Sequence, residues 1–160
     1  MTGNDFGFLS SYVKWTDGTA CRMNRQDAEV KDWIEDYQYL KNGLLRVSRA
    51  TFVSLLFKKE VVLKEGLPIK EFFIWGDDTE YTLRISNKYK CYFVSDSVVV
   101  HKMKTNMNTT LDIFIKEDSE RLDRYFYRER NMLYIRRKQG KKELLKYLAG
   151  FLGMSVTLLL

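Results

Sequence analysis

Residues 72–85 read Phe72-Phe73-Ile74-Trp75-Gly76-Asp77-Asp78-Thr79-Glu80-Tyr81-Thr82-Leu83-Arg84-Ile85, an apolar run, a glycine, and then three carboxylates within four residues. The glycine breaks the run, and Asp77 is expected to open a helix reaching to about Tyr89, because the free N–H groups of a helix start favour negative charge. Asp77 at the N-cap with Glu80 three positions later is also the pattern of a capping box. The two readings are compatible, since one carboxylate can cap while its neighbour reacts. Adjacent carboxylates repel, so at least one of them should be raised in pKa or neutralised by a cation. A general base for a hydroxyl needs a carboxylate held rigidly in this way.

Working outward, Ala50–Phe57 is a compact apolar run that reads as a buried strand, and Lys59–Glu65 reads as a short helix stopped by Gly66 and Pro68. Phe6–Trp15 reads as a strand ending in a turn at Thr16-Asp17-Gly18, and Asp27–Leu40 as a loop with some helix. Downstream, Tyr92–His101 is another strand, whose run Val98-Val99-Val100 leads into the only histidine of the chain. Ser119–Arg137 is a long helix, Gly140 a breaker, and the remainder a second helical stretch. Strands and helices in this order suit an α/β or α+β layer structure. His101 stands at a strand end, where ligands bind beside a sheet, and a neutral imidazole is a good ligand for a divalent metal. A lone histidine is nevertheless more often structural, and spacing alone does not bring it to the Asp77-Asp78 pair.

With 160 residues, 45% apolar and 14% aromatic, the chain is one ordinary domain in size and rich enough in core-forming residues to exclude a disordered class. Cys21 and Cys91 are far apart and in no metal-type spacing, so they read as free thiols. Met1–Phe8 has no basic segment followed by an apolar run, so it is not a secretory signal. The net charge of +6 is uneven: Arg121–Lys146 holds ten Lys or Arg against three Asp or Glu, an excess of seven, which leaves the remainder at minus one. That segment favours anionic partners. The stretch after it, Leu144–Leu160, has 17 residues and the single charge of Lys146, and reads equally as a membrane-surface helix or as one docking on protein.

The runs FFIWGDDTEYTLRI and CYFVSDSVVVHKM together resemble the second half of family 2 glycosyltransferases, closest to rhamnosyltransferase-like and galactofuranosyltransferase-like members. The shared pattern falls on Phe72, Phe73, Asp77, Asp78, Glu80, Tyr81, Leu83, Arg84 and His101. GFLSSYVKWTDG, RATFVSLLFKKEVVLKEGLP and YFYRERNMLYIRRK also resemble family segments, the last a Tyr-Arg-Asn helix, so the likeness covers nearly the whole chain. It implies a partial GT-A fold, a Rossmann-like mixed sheet with flanking helices, over residues 1–118, followed by basic and apolar helices over 119–160. It implies inverting transfer from a nucleotide sugar to a saccharide or lipid-linked acceptor, in cell-surface polysaccharide synthesis. By this resemblance Asp78 is the general base, Asp77 orients the acceptor or the base, and Glu80 lies at the acceptor. Trp75 either walls a sugar face or packs in the core. His101 would be a ligand for Mg²⁺ or Mn²⁺ at the diphosphate. The place implied is cytoplasmic, peripheral on the inner face of the membrane through residues 121–160. One departure stands out: the family's Asp-x-Asp is absent from Met1–Trp15, so the resemblance predicts that these residues alone do not turn over a sugar nucleotide.

Two other classes fit parts of the sequence. The basic helix, with Tyr125, Phe126, Tyr127 and Tyr134 interleaved, could stack on bases and meet phosphates, although no RNA-binding or helix-turn-helix motif accompanies it. A partner-binding module without chemistry is the other alternative, and a hydrolase on Asp77, Asp78 and Glu80 would need ligands beyond His101.

Overall fold

The computed structural model describes residues 6–103, 106 and 122–159. The chain is a mixed α/β protein that divides into two units, one of Met1–Ile69 with Asp78–Lys116 and one of Lys70–Asp77 with Glu117–Leu160. The first unit carries a five-stranded sheet of order β2-β3-β5-β1-β4, formed by β1 (Phe8–Lys14), β2 (Asp27–Ala28), β3 (Leu44–Arg49), β4 (Leu55–Phe57) and β5 (Tyr92–Val100). The central pair, β1 with β5, is parallel, and every other pairing is antiparallel. Among the described residues, three α-helices belong to this sheet's unit: α1 (Trp33–Leu40), α2 (Lys59–Glu65) and, from its second residue on, α3 (Asp77–Ser86).

Phe8, Val47, Ala50, Val61, Tyr81, Ile85 and Cys91 form the buried cluster that joins the sheet to α2 and α3, with Leu55, Phe57, Tyr89 and Phe93 packed around it. Each large apolar side chain so buried contributes roughly 1.5–3 kcal/mol relative to exposure. Both cysteines are buried and unbridged. Burial raises the pKa of the Cys91 thiol to about 12, so it remains a protonated core residue.

Three sequence expectations need correction. Strand β3 (LLRVSR) was not expected: only Val47 of its residues is buried, and Arg46 and Arg49 interrupt the apolar alternation that marks a strand. The apolar run Ala50–Phe57 is a strand only at Leu55–Phe57, where Leu56 is exposed. Its apolar character comes instead from Ala50 in the core and from the Phe52 ring, which meets Phe57 and Tyr81 edge-on. Residues 27–40 are more ordered than a loop with some helix. Asp32 caps α1, its Oδ1 accepting from the N–H groups of Ile34 at 2.8 Å and Glu35 at 3.2 Å. That helix is turned polar side in. Asp36 is buried, accepting from the Lys31 and Asp32 N–H groups, with Arg46 at 3.7 Å, while Trp33, Ile34 and Tyr37 face outward.

The second unit pairs the segment 70–77 with α4 (Leu122–Gln139) and α5 (Lys141–Leu159), the two helices separated by Gly140 at φ 118°. The expected start of the long helix at Ser119 lies outside the described residues. On α5, Leu145, Leu148 and Leu152 are exposed at a spacing that places them on one face. Among the described residues, no helix is long and apolar enough to cross a membrane.

Candidate active site

The parallel pair β1/β5 puts two carboxyl-terminal strand ends at the same edge of the sheet, Lys14 on one strand and His101 just past the other. The register between them slips after Ser11: Ser11 faces Val94 but Tyr12 faces Val98. The extra residues of β5 bulge there, and the Ser97 hydroxyl in the bulge meets the Ser11 hydroxyl at 2.7 Å. Beyond the slip the strands realign, so that the His101 N–H donates to the Lys14 carbonyl at 2.9 Å. The chain then turns back after Lys14, with the Trp15 N–H on Thr19 O at 2.7 Å and the Cys21 N–H on Val13 O at 2.9 Å. This return carries the 3-10 turn Arg22–Asn24 to the side of His101.

Asn24 is where these pieces meet. Its Oδ1 accepts from the Cys21 thiol at 3.0 Å and lies 2.6 Å from His101 Nδ1, while its Nδ2 donates to Thr51 Oγ1 at 3.0 Å. The imidazole is half-buried and not sealed in the core. Its Nε2 makes no hydrogen bond among the described residues.

Asp78 comes to the same stretch of chain through the main chain of α3. Thr82 Oγ1 donates to Asp78 O at 2.7 Å within the helix, and it also meets the backbone of Ala50, its contact with Ala50 O being 3.3 Å. Asp78 stands one turn earlier, half-buried, its Oδ1 accepting from the Thr79 N–H at 2.6 Å and the Thr79 hydroxyl at 3.2 Å. The cation expected near the acids is Arg49. Its pKa is raised, chiefly by hydrogen bonds to Asp27 at 2.6 and 2.7 Å, against the opposing effect of burial; the charges of Asp27 and Asp78 add to it. The Asp78 main chain, through Thr82, and the His101 ring, through Asn24, thus connect to the consecutive residues Ala50 and Thr51, with the Ala50 N–H on Thr82 Oγ1 at 3.4 Å.

The remaining site candidates have other engagements. The capping box is not formed: Gly76, at φ 92°, precedes Asp77 as first helical residue, and Glu80 is gripped by Arg84 at 2.9 and 3.0 Å. Arg84 also reaches the carbonyls of Glu65 and Leu67 and lies over the Tyr81 ring, so Glu80 serves an anchor between α3 and the end of α2. Trp75 belongs to the second unit, half-buried with its ring edge-on to Tyr125 at 5.3 Å.

The segment leading into Asp77 is strained. Phe73 at φ 50° and Trp75 at φ 52° are non-glycine residues in the left-handed region, followed by Gly76. Fully buried Asn131 on α4 holds this segment, its Nδ2 donating to Phe72 O at 2.8 Å and Trp75 O at 2.7 Å, with Ile74 O at 3.4 Å. Arg130 fixes the amide by donating to Asn131 Oδ1 at 3.0 and 2.9 Å, and it also donates to Glu71 O. The phenylalanine run forms a 3-10 turn (Lys70–Phe72) and a bent connection on which Phe73 is exposed.

No family model, no curated protein and no solved structure matches this chain. For a divalent cation, the described residues bring together no group of three or more His, Cys, Asp or Glu side chains. What the described candidate residues offer such a cation is one imidazole nitrogen, His101 Nε2. The signal for Asn24, Arg49 and Asn131 was absent from sequence patterning, since none stands in a motif that periodicity can pick out; only the Tyr-Arg-Asn likeness pointed near Asn131.

Proposed function

We propose that this chain carries the acceptor-side half of an inverting family 2 type glycosyltransferase of GT-A architecture, acting on a nucleotide sugar and a saccharide or lipid-linked acceptor. The observation that carries the reading is that the Asp78 main chain, through Thr82, and the His101 ring, through Asn24, meet adjacent residues Ala50 and Thr51, although they stand 23 residues apart in sequence, with both side chains half-buried. In the reaction, Asp78 takes the proton of the acceptor hydroxyl as that oxygen bonds to the anomeric carbon. The carbon–oxygen bond to the diphosphate breaks, and the nucleoside diphosphate leaves with the electron pair. The positive charge of Arg49 acts on Asp78, and the start of α3 is a favourable place for a carboxylate. Asp77, first in the helix, orients the acceptor beside it. His101 Nε2 would be the protein's ligand to Mg²⁺ or Mn²⁺, which when bound would supply neutralising charge for the leaving diphosphate.

Transfer of radiolabelled sugar from a panel of nucleotide sugars, by the polypeptide as its gene encodes it, tests the reading. Asp78→Asn should lower kcat by about 10²–10⁴-fold, the range a general base contributes. Transfer undiminished in both Asp78→Asn and His101→Ala sinks it. For location, the apolar row of Leu145, Leu148 and Leu152 beside Lys142 and Lys146 supports contact with an anionic bilayer surface. Equal sedimentation with neutral and anionic vesicles would count against that contact.

A further inference from the structure

We infer that Asn24 is a positioning residue that fixes the tautomer of His101, holding the proton on Nδ1 and presenting a bare Nε2. The geometry stands on its own; its use, to offer Nε2 to a phosphate-bound cation, rests on the function proposed above. The inference follows from what an amide oxygen can do. Asn24 Oδ1 has lone pairs and no proton, so the 2.6 Å contact to His101 Nδ1 is a hydrogen bond only if Nδ1 supplies the hydrogen. One of the other two contacts, that of the thiol, favours this orientation of the amide, whereas the Thr51 hydroxyl can serve either. The Cys21 thiol donates to the same oxygen at 3.0 Å, and Nδ2 donates to Thr51 Oγ1 at 3.0 Å. Rotating the amide by half a turn would lose the thiol's acceptor.

Asn24 itself is only 9% exposed and Cys21 1% exposed, so water is a poor substitute for these partners. The His101 main chain is pinned independently by its N–H on Lys14 O. Backbone and ring nitrogen together leave the imidazole one direction in which to aim Nε2. Free histidine in water prefers the opposite neutral tautomer, with the proton on Nε2, so the protein must hold His101 against its own preference. Ligand histidines in general hand their second N–H to a carbonyl or carboxylate, which orients the ring and makes the ligating nitrogen more basic.

His101 is the only histidine, so its ring nitrogens are unambiguous in a long-range ¹H–¹⁵N correlation spectrum of the uniformly labelled chain. At mildly alkaline pH, wild-type protein should show a protonated, pyrrole-type Nδ1 and a pyridine-type Nε2. Asn24→Leu, which has no acceptor, should move the population toward the Nε2–H form. Asn24→Asp, which keeps an acceptor facing Nδ1, should restore the wild-type pattern. A pyridine-type Nδ1 in wild-type protein overturns the inference without any variant, so a misfolded Asn24→Leu does not protect it. An unchanged tautomer in folded Asn24→Leu also overturns it. Mn²⁺ with inorganic pyrophosphate should broaden Nε2 selectively, at about 10–100-fold lower Mn²⁺ concentration in wild type than in Asn24→Leu. An Nε2 of the stated tautomer that ignores Mn²⁺ and pyrophosphate overturns the cation role proposed for His101, while the assignment of Asn24 stands.

Discussion

Asn131 and Asn24 are both buried asparagines whose amide oxygen and nitrogen each have partners, but one restrains backbone and the other a side chain. Asn131 collects carbonyls from a segment that puts Phe73 and Trp75 in the left-handed region, and its own oxygen is held by Arg130. Asn24 collects a thiol, a hydroxyl and an imidazole, each from relaxed backbone. A polar group that restrains strained backbone is needed for the local fold to exist. One that restrains an imidazole can go missing with the fold intact, the half-buried ring then taking another tautomer or rotamer. The difference separates what the chain needs in order to fold from what it needs in order to act.

The largest expected effect tests the folding side. Asn131→Ala leaves the Phe72 and Trp75 carbonyls without their donor next to an unrelieved strain, and should cost about 2–4 kcal/mol of stability, measured by urea unfolding. Asn131→Asp should do no better, because a carboxylate has no N–H to give. A loss below about 1 kcal/mol for both would mean that the loop keeps its conformation unaided, and the contrast with Asn24 would fail. Next in size is Gly76→Ala. At φ 92° any side chain is strained, and an added Cβ would stand 3.3 Å from Asn131 Cβ. Together these should cost about 1–2 kcal/mol, read from the same unfolding curve.

How much of this was legible in the sequence depends on how local each signal is. The helix Lys59–Glu65 announced itself by Gly66, found at φ 77°, and strands β1 and β5 by their apolar runs. The acids of α3 marked its beginning to the residue, although Glu80 went to Arg84 and not to the cap. Strand β3 was hidden by arginines at positions 46 and 49, both engaged in ion pairs. Helix α1 was hidden because its buried face is Asp36 and its exposed face is aromatic, the reverse of the usual pattern. The two asparagines were the least legible. Asn24 meets His101 across 77 positions and Asn131 meets Phe72 across 59, and a single amide leaves no periodic trace of a distant partner. Of the candidate site, the sequence marked Asp78 and His101, the residues proposed to act, and left unmarked the residues packed against them.

The smallest expected effect sharpens the comparison by relieving strain with Asn131 left in place. Phe73 is 78% exposed and its ring meets only the Tyr127 ring, 5.8 Å away, among the aromatic contacts described. Its conformation at φ 50° is one that asparagine tolerates better than phenylalanine, because a short polar side chain can hydrogen-bond its own backbone there. Phe73→Asn therefore gains roughly 1 kcal/mol of relieved strain and gives up part of an exposed ring pair worth about 0.5 kcal/mol or more. A net stabilisation of about 0.5 kcal/mol is expected, seen as a rise in the urea midpoint at unchanged slope. Combined with Asn131→Ala, the same change should recover part of the lost stability, since less strain then remains to be restrained. If the two changes add with no coupling, Asn131 is satisfying carbonyls alone and does not hold the left-handed conformation of Phe73.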